Sequence, residues 1–175
     1  MIFNELSLKG AYLIELESFK DERGSFTRQF CHKEFKEAEM DFDICQCNIS
    51  QNFKKGTLRG LHFQKEPYSE IKLVSCFKGA FYDVIVDLRK DSETYLQWEG
   101  VELSDQNNKI LYIPPNFAHG FQTLIDDTVV YYQISNYFNP DFYSGLRWND
   151  PKLNISWPEC EYRIINDRDS NYQLI

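Results

Sequence analysis

One short segment, residues 57–64, carries a histidine beside a group that can bind an anion. The segment reads Thr-Leu-Arg-Gly-Leu-His-Phe-Gln, and His62 is one of three histidines in the chain. The ordinary pKa of histidine lies near neutrality, so such a residue can exchange a proton at physiological pH. Arg59 offers a planar fork of donors that suits a phosphate. The segment therefore suggests proton chemistry on a phosphorylated small molecule, although a structural histidine looks the same in sequence.

A lysine and two tyrosines lie in apolar, strand-like surroundings. Lys72 either points to solvent or, if it points inward, needs an anionic partner such as a developing oxyanion. Tyr131 and Tyr132 are neighbours on a predicted strand, so one of them faces the interior. An inward tyrosine hydroxyl is either a general acid or a core aromatic with one hydrogen bond.

A catalytic histidine needs a carboxylate that fixes its tautomer and stabilises its protonated form. Asp83 and Asp87 lie on one face of a predicted strand, and Asp167 and Asp169 lie in the tail. Spacing alone does not choose among these four aspartates.

A catalytic metal is not expected. Small β-barrels that bind metals often use a His-x-His pair, and here Gln64 stands where the second histidine would be. His62 and His119, the latter just after the proline turn at 114–116, are the remaining candidate ligands. Two imidazoles without a positioned carboxylate make a poor metal site.

Length and composition narrow the class of protein. A chain of 175 residues fits one domain, predicted to span residues 1–175. The net charge of −8 argues against a nucleic-acid binder, which needs a basic face. No apolar run reaches the length of a membrane span, and no signal-peptide pattern opens the chain. Five cysteines without a CxxC pair indicate reduced thiols, so we expect a cytoplasmic protein.

The elements that would position these residues are mostly short strands. Turn signals recur roughly every ten residues, the rhythm of an antiparallel sandwich or barrel. We predict one helix at 32–40, and a tail of loops with a short helix after residue 151. The predicted strands cover residues 11–16, 25–30, 44–51, 71–77, 81–88, 95–103, 109–113, 117–124 and 129–137. An all-β, two-sheet jelly roll with a few short peripheral helices fits best, with its closed end holding a ligand.

Taken together, these segments resemble the dTDP-4-dehydrorhamnose 3,5-epimerase family over roughly residues 10–170. The motifs that carry the resemblance follow one another in order. They are Asp21-Glu-Arg-Gly24, Leu58-Arg-Gly-Leu-His-Phe-Gln64, Lys72-Leu-Val74, Asp83-Val-Ile-Val-Asp87-Leu-Arg-Lys90, Ile113-Pro-Pro-Asn-Phe-Ala-His-Gly-Phe121, Tyr132 with Ser135-Asn-Tyr137, Trp148-Asn-Asp150 and Trp157-Pro158.

The resemblance implies a cupin-type jelly roll, a homodimer, a nucleotide-diphosphate sugar as substrate, and catalysis without a metal or organic cofactor. It implies that His62 is the base, Asp169 its acidic partner and Tyr132 the acid on the opposite face of the sugar. Lys72 would lie near the 4-keto oxygen. The implied binding residues are Arg59 and Arg23 at the diphosphate, with Arg23 reaching across the dimer, and Gln46, Asn48, His119, Phe26, Arg28, Asp83 and Tyr137 elsewhere in the pocket.

The implied chemistry is coherent. A ketone at C4 of a sugar acidifies C3 and C5, since the carbanion delocalises onto oxygen, and a cation such as Lys72 can stabilise the enolate. Inversion needs one group that removes a proton and another that returns it on the other face.

Some positions depart from the family pattern and leave alternatives open. Arg28 stands where the family usually has Glu, Cys47 where it has Asp, Ser75 where Arg is frequent and Gln133 where Lys is common. Arg28 and Cys47 leave the nucleobase open, and relatives that invert only C3 or only C5 leave the number of centres open. A 3,4-ketoisomerase, a non-catalytic sugar-nucleotide binding jelly roll and a metal-dependent cupin are the other candidate functions.

Overall fold

The structure is a computed structural model that describes all residues, 1–175, and its main body is two antiparallel sheets packed face to face. The strands are β1 (Ile2–Glu5), β2 (Tyr12–Glu15), β3 (Ser18–Asp21), β4 (Gly24–Thr27), β5 (Gln46–Asn52), β6 (Leu58–Gln64), β7 (Lys72–Lys78), β8 (Ala80–Asp87), β9 (Trp98–Ser104), β10 (Lys109–Ile113), β11 (Phe117–Thr123), β12 (Thr128–Ile134) and β13 (Tyr143–Gly145), with helices α1 (His32–Glu37) and α2 (Asp167–Ser170). One sheet has the order β1-β2-β10-β7-β12-β5 and the other β13-β6-β11-β8-β9, while β3 and β4 form a separate hairpin. The predicted all-β jelly-roll class is confirmed.

Side chains that point alternately to the two faces of each strand build the core between the sheets. In β10, Leu111 and Ile113 point inward and join Val74 and Phe81 in the main apolar cluster. The intervening residues of β10 point to the outer face of the six-stranded sheet. This period of two is what a strand between two apolar layers requires.

Helix α1 covers that outer face. Phe35 is fully buried there, and the rings of Phe3, Phe30 and Phe42 pack around it at centroid distances of 5.2, 5.0 and 5.7 Å. The helix ends at Glu37 rather than at residue 40 as predicted, because Glu39 adopts a positive φ of 62° and the Met40 N–H turns back to the Phe35 carbonyl. Neither helix is long and apolar enough to cross a membrane.

Several strand boundaries differ from the prediction. The strand expected at 95–103 begins at Trp98, because Ser92 and Thr94 fold back to donate hydrogen bonds to the buried carboxylate of Asp87. The strands expected at 25–30 and 129–137 end at Thr27 and Ile134. Strands β1, β3, β6 and β13 were not predicted, and in β6 a glycine interrupts the alternation that would have revealed it.

Strand β6 contains an extra residue relative to its neighbour β11. His62 pairs with His119, but Phe121 pairs with Arg59, so the register shifts between these two positions. Residues three apart on a regular strand point to opposite faces, and the inserted residue turns Arg59 to the same side as His62. Gly60 lies at this bulge with φ of 123°, directly against the backbone of Gly120.

Alanine substitutions at Gly60 and at Gly24 together measure the steric part of the contact between Gly60 and Gly120. Gly60 and Gly24 have similar positive φ angles of 123° and 132°, but a Cβ at Gly24 meets nothing within 4 Å, whereas one at Gly60 meets the His119 carbonyl at 2.8 Å. We expect Gly24→Ala to cost about 1–2 kcal/mol of backbone strain. Gly60→Ala should cost roughly 1–3 kcal/mol more, because the two strands must separate.

Urea unfolding at one fixed protein concentration measures both variants. Equal losses of unfolding free energy in Gly60→Ala and Gly24→Ala would contradict the claim that close packing on Gly120 is what requires glycine in β6.

Candidate active site

A cavity of about 400 Å³ opens at one end of the sandwich, between the two sheets. Its lining combines cations, amides, a carboxylate and aromatic rings. The lining residues are Gln46, Asn48, Ser50, Arg59, His62, Gln64, Glu70, Lys72, His119, Phe121, Tyr132, Ile134, Phe138, Tyr143 and Arg168.

Strand alternation explains which residues of β5 and β12 reach the cavity. Strand β5 contributes Gln46, Asn48 and Ser50, every second residue. Cys47, between two of them, is exposed on the opposite face of the strand. In β12 the inward residue of the tyrosine pair is Tyr132, while Tyr131 stacks outside on Phe77 with ring centroids 4.4 Å apart.

His62 forms a hydrogen-bonded pair with Asp169, which comes from helix α2 near the end of the chain. The His62 Nε2 atom lies 2.8 Å from Asp169 Oδ1, and the Gly60 N–H donates to Asp169 Oδ2 at 3.1 Å. Asn166 caps α2 by accepting a hydrogen bond from the Asp169 N–H at 2.7 Å, which holds that residue in place. Among the four candidate aspartates, Asp169 is the one that reaches His62, and the second ring nitrogen, Nδ1, has no protein partner.

The electrostatic setting keeps His62 neutral and Asp169 ionised. Burial is the largest influence on His62 and lowers its pKa, the pair with Asp169 opposes this, and Lys72 and Arg168 lower the pKa further. Burial alone would raise the pKa of Asp169, but the hydrogen bonds from His62, the Gly60 N–H and Arg168 outweigh it and the pKa is lowered. An imidazole that is unprotonated at neutral pH, backed by a carboxylate, is the arrangement of a general base.

Lys72 points into the cavity. It shares the inner face of β7 with Val74, two residues on, and its side chain is only 11% exposed. The Lys72 Nζ atom lies 3.1 Å from Glu70 Oε1 and donates to the His62 carbonyl at 3.3 Å. The buried ammonium is therefore paired, and it lies next to the backbone of the histidine.

Two tyrosines bring hydroxyl groups to the cavity. Burial raises the pKa of Tyr132, an effect that the charge of Arg59 opposes. Burial also raises the pKa of Tyr143, whose ring lies 5.2 Å from that of His62 and under the guanidinium of Arg168. Both hydroxyls stay protonated at neutral pH and can act as proton donors.

His119 contacts a fully buried carboxylate behind the cavity wall. His119 Nε2 lies 2.7 Å from Asp83 Oδ1, within hydrogen-bonding distance. Burial raises the pKa of Asp83, and the attraction of His119 opposes this. Asp83 does not itself line the cavity, and it acts on the cavity through its contact with His119.

Besides the buried Asp83, the structure leaves four further candidate binding residues outside the cavity of the single chain. Arg23 and Phe26 lie on the β3–β4 hairpin beside a shallow groove of about 370 Å³, with the Arg23 side chain 85% exposed. Arg28 forms an ion pair with Glu34 at 2.8 Å. Tyr137 is 65% exposed and contributes only its carbonyl, to Gln64.

Sequence reasoning missed several residues of the lining. Glu70 could have been found, because a carboxylate two residues before an inward lysine shares its face. Arg168 adjoins Asp169, but nothing in the sequence around Tyr143 or Phe138 marks either residue. Tyr143 lies on β13 and Phe138 in the loop before it, and sequence patterns predicted neither segment.

Gln64 has a structural role in this cavity. Its Nε2 group donates to the carbonyl of Tyr68 at 2.9 Å and to Glu70 at 3.1 Å, and its Oε1 accepts from the Asn139 N–H at 2.6 Å. The chain contains no group of three or more His, Cys, Asp or Glu side chains placed to hold a metal ion, and all five cysteines are free thiols.

Comparison with known proteins agrees with this geometry. The family model described as dTDP-4-dehydrorhamnose 3,5-epimerase matches residues 5–175. A dTDP-4-dehydrorhamnose 3,5-epimerase of Sinorhizobium fredii is 41% identical over 98% of this chain and 88% of its own.

Two solved structures share the fold over 99% of this chain. The Bacillus anthracis enzyme, crystallised with TDP and PPi bound, is 42% identical with a TM-score of 0.96 over 99% of its own chain. The Legionella pneumophila enzyme, in complex with dTDP-4-keto-L-rhamnose, is 34% identical with a TM-score of 0.95 over 92% of its chain. The chain belongs to the dTDP-4-dehydrorhamnose 3,5-epimerase family.

Proposed function

We propose that this protein inverts C3 and C5 of a dTDP-linked 4-keto-6-deoxy sugar, with His62 as the base and Tyr132 as the acid. The observation that carries the proposal is the neutral His62, paired with Asp169, in one cavity with the ammonium of Lys72 and the protonated hydroxyl of Tyr132. A base, a cation and an acid are what a proton transfer next to a ketone needs.

In the proposed reaction, His62 removes the proton from the carbon next to the ketone. The electron pair of the broken C–H bond moves onto the C4 oxygen, giving an enolate and an imidazolium. Asp169 remains ionised and stabilises the imidazolium across the 2.8 Å contact. Lys72 stabilises the enolate, since it is the buried cation of the site closest to the histidine backbone.

Tyr132 then returns a proton to the opposite face, and the enolate collapses to the ketone. The proton is lost from the tyrosine and gained by the histidine, so solvent exchange restores both groups after each inversion. The sequence repeats at the second carbon, because the same ketone acidifies both neighbours. The substrate itself supplies the acidity, so we propose that the reaction needs no metal or organic cofactor.

Other residues of the same cavity lining suit the nucleotide arm. Arg59 offers a guanidinium for the diphosphate, and Gln46, Asn48 and His119 offer further polar groups. The relatives of known structure hold ligands with the same parts, TDP with PPi in one and dTDP-4-keto-L-rhamnose in the other. Because Cys47 faces away from the cavity, its departure from the family pattern does not argue against a thymidine nucleotide.

We propose further that the protein works as a cytoplasmic homodimer with one catalytic domain, residues 1–175, in each subunit. The β3–β4 hairpin exposes Phe19, Phe26 and Arg23. Exposed aromatic side chains are unfavourable in a monomer, and a segment that enters a partner's site would bury them. Ile49 and Phe77 are also exposed on the uncovered part of the six-stranded sheet. Arg28, just beyond the hairpin, would contribute in the same way, and Tyr137 at the surface would contact the nucleotide once the dimer forms.

The first test is isotope exchange in deuterated water with a dTDP-linked 4-keto-6-deoxy sugar. Wild-type protein should incorporate deuterium at C3 and C5, and His62→Asn should lower the rate by roughly 10²–10⁴ because the general base is lost. The matched control is His32→Asn, at an exposed histidine paired with Asp41 on the surface, which should leave the rate unchanged.

No exchange by the wild type with this substrate would refute the proposed activity, and equal loss in both histidine variants would refute the assignment of His62. Product NMR separates the ketoisomerase alternative, since a ketone found at C3 would identify that reaction.

The pH dependence follows from the environment of His62. Burial lowers its pKa from 6.5, so the active, unprotonated form should persist at pH 6.5 and disappear only as pH falls through the lowered value. The acidic limb of kcat/KM against pH should therefore have its midpoint below 6.5. A midpoint at or above that value would show that burial does not control His62, or that another group acts as the base.

Subunit mixing tests the role of the hairpin. Arg23→Ala and His62→Asn should each be poorly active alone, but co-assembled subunits should recover about a quarter of wild-type activity. Half of randomly assembled dimers are mixed, and each mixed dimer contains one site with both Arg23 from one subunit and His62 from the other. No recovery in a preparation shown to contain mixed dimers would mean that Arg23 acts within its own subunit.

A further inference from the structure

Asn52 lies beside the cavity arginine and carries no role in the proposed reaction. It ends β5 on the same face as Gln46, Asn48 and Ser50, and it is only 2% exposed. A buried amide has two donors and an acceptor to satisfy, so its partners reveal its orientation.

The orientation of the Asn52 amide is fixed by two backbone carbonyls. Its Nδ2 group donates to the carbonyl of Ser50 at 3.0 Å and to that of Thr128 at 3.2 Å. Carbonyls only accept hydrogen bonds, so the nitrogen must lie on that side and the oxygen on the other. The Oδ1 atom accepts from Arg59 Nε at 2.8 Å.

This contact uses Nε of Arg59 and leaves its two terminal nitrogens free. Those nitrogens have no hydrogen-bond partner in the protein, and Arg59 lines the cavity. An unrestrained arginine loses rotamer freedom when it binds a ligand, and a side chain that is already held loses less.

The partner of Arg59 is also uncharged, which matters for an anion site. Arg168, the other arginine of the cavity, donates to the carboxylate of Asp169 at 3.3 Å, so part of its charge is neutralised. An amide oxygen orients a guanidinium without cancelling its charge, whereas a carboxylate would compete with the incoming anion.

We propose that Asn52 is a positioning residue that holds Arg59 with its terminal nitrogens ready for the diphosphate of the substrate. The inference rests on the proposed function, because it takes a nucleoside diphosphate as the ligand. Asn52 touches Arg59 and not the substrate, so its removal acts through the arginine.

The test compares TDP with thymidine by calorimetry, because only TDP carries the group that Arg59 binds. Asn52→Ala should weaken TDP binding roughly three- to tenfold, the effect of immobilising one long side chain on binding, and leave thymidine binding unchanged. Asn52→Ser provides a second variant, whose hydroxyl can still donate to a neighbouring carbonyl but is too short to reach Arg59. It should weaken TDP binding in the same way.

A double-mutant cycle separates positioning from a general structural role. In an Arg59→Ala background, Asn52→Ala should cause no further loss of TDP affinity, since the residue through which it acts is gone. Equal weakening of TDP and thymidine, unchanged TDP affinity, or the full loss again in the Arg59→Ala background would each overturn the role of Asn52. Failure of the wild type to bind TDP would instead contradict the proposed function, and this is a separate result.

Discussion

The close approach of Gly60 to Gly120 is the contact on which the site depends. It lets β6 carry one more residue than β11 opposite, and the extra residue turns Arg59 and His62 to the same cavity. On a regular strand one of these two side chains would lie outside the sandwich. The Gly60 N–H also donates to Asp169, so the same glycine that permits the bulge helps to hold the carboxylate behind the histidine. Arg59 and His62, the proposed diphosphate ligand and the proposed base, thus owe their shared orientation to one backbone irregularity.

The charge distribution shows how an acidic protein can hold an anionic substrate. The chain has a net charge of −8, yet its cavity contains Arg59, Lys72 and Arg168. The buried ammonium of Lys72 is paired with Glu70, which makes its burial tolerable, and the exposed Arg168 has Asp169 as a carboxylate neighbour. Arg59 has an uncharged hydrogen-bond partner, Asn52, in place of a carboxylate. Of the three cavity cations, Arg59 is therefore the one whose charge no carboxylate partner offsets.

Much of the fold could be predicted from the sequence, because alternation and turn residues are local signals. Strand β10 and most of the strands between residues 44 and 134 follow from them. Strand β6 does not, since a bulge breaks the very alternation that identifies a strand. Local patterns also could not choose among the four candidate aspartates: Asp169 is 107 residues from His62 in the chain, and only the packing of α2 against β6 joins them. The family resemblance supplied that pairing, and it named Arg23 and Phe26 as pocket residues although the single chain leaves both at its surface.

In the proposed reaction, a hydrogen bond between Lys72 and His62 helps to fix the distance between the base and the cation that stabilises the enolate. The Lys72 ammonium donates to the backbone carbonyl of His62, while the imidazole of the same residue is held by Asp169. A shift of β6 would move the His62 imidazole together with the His62 carbonyl that holds the Lys72 ammonium. The distance between imidazole and ammonium would therefore change less than the position of the strand. The proposed enolate spreads over a carbon and an oxygen at a fixed spacing, so the proposed reaction requires a matching separation of His62 and Lys72. The six-stranded sheet contributes the cation and the five-stranded sheet the base, and this single hydrogen bond joins the two across the sandwich.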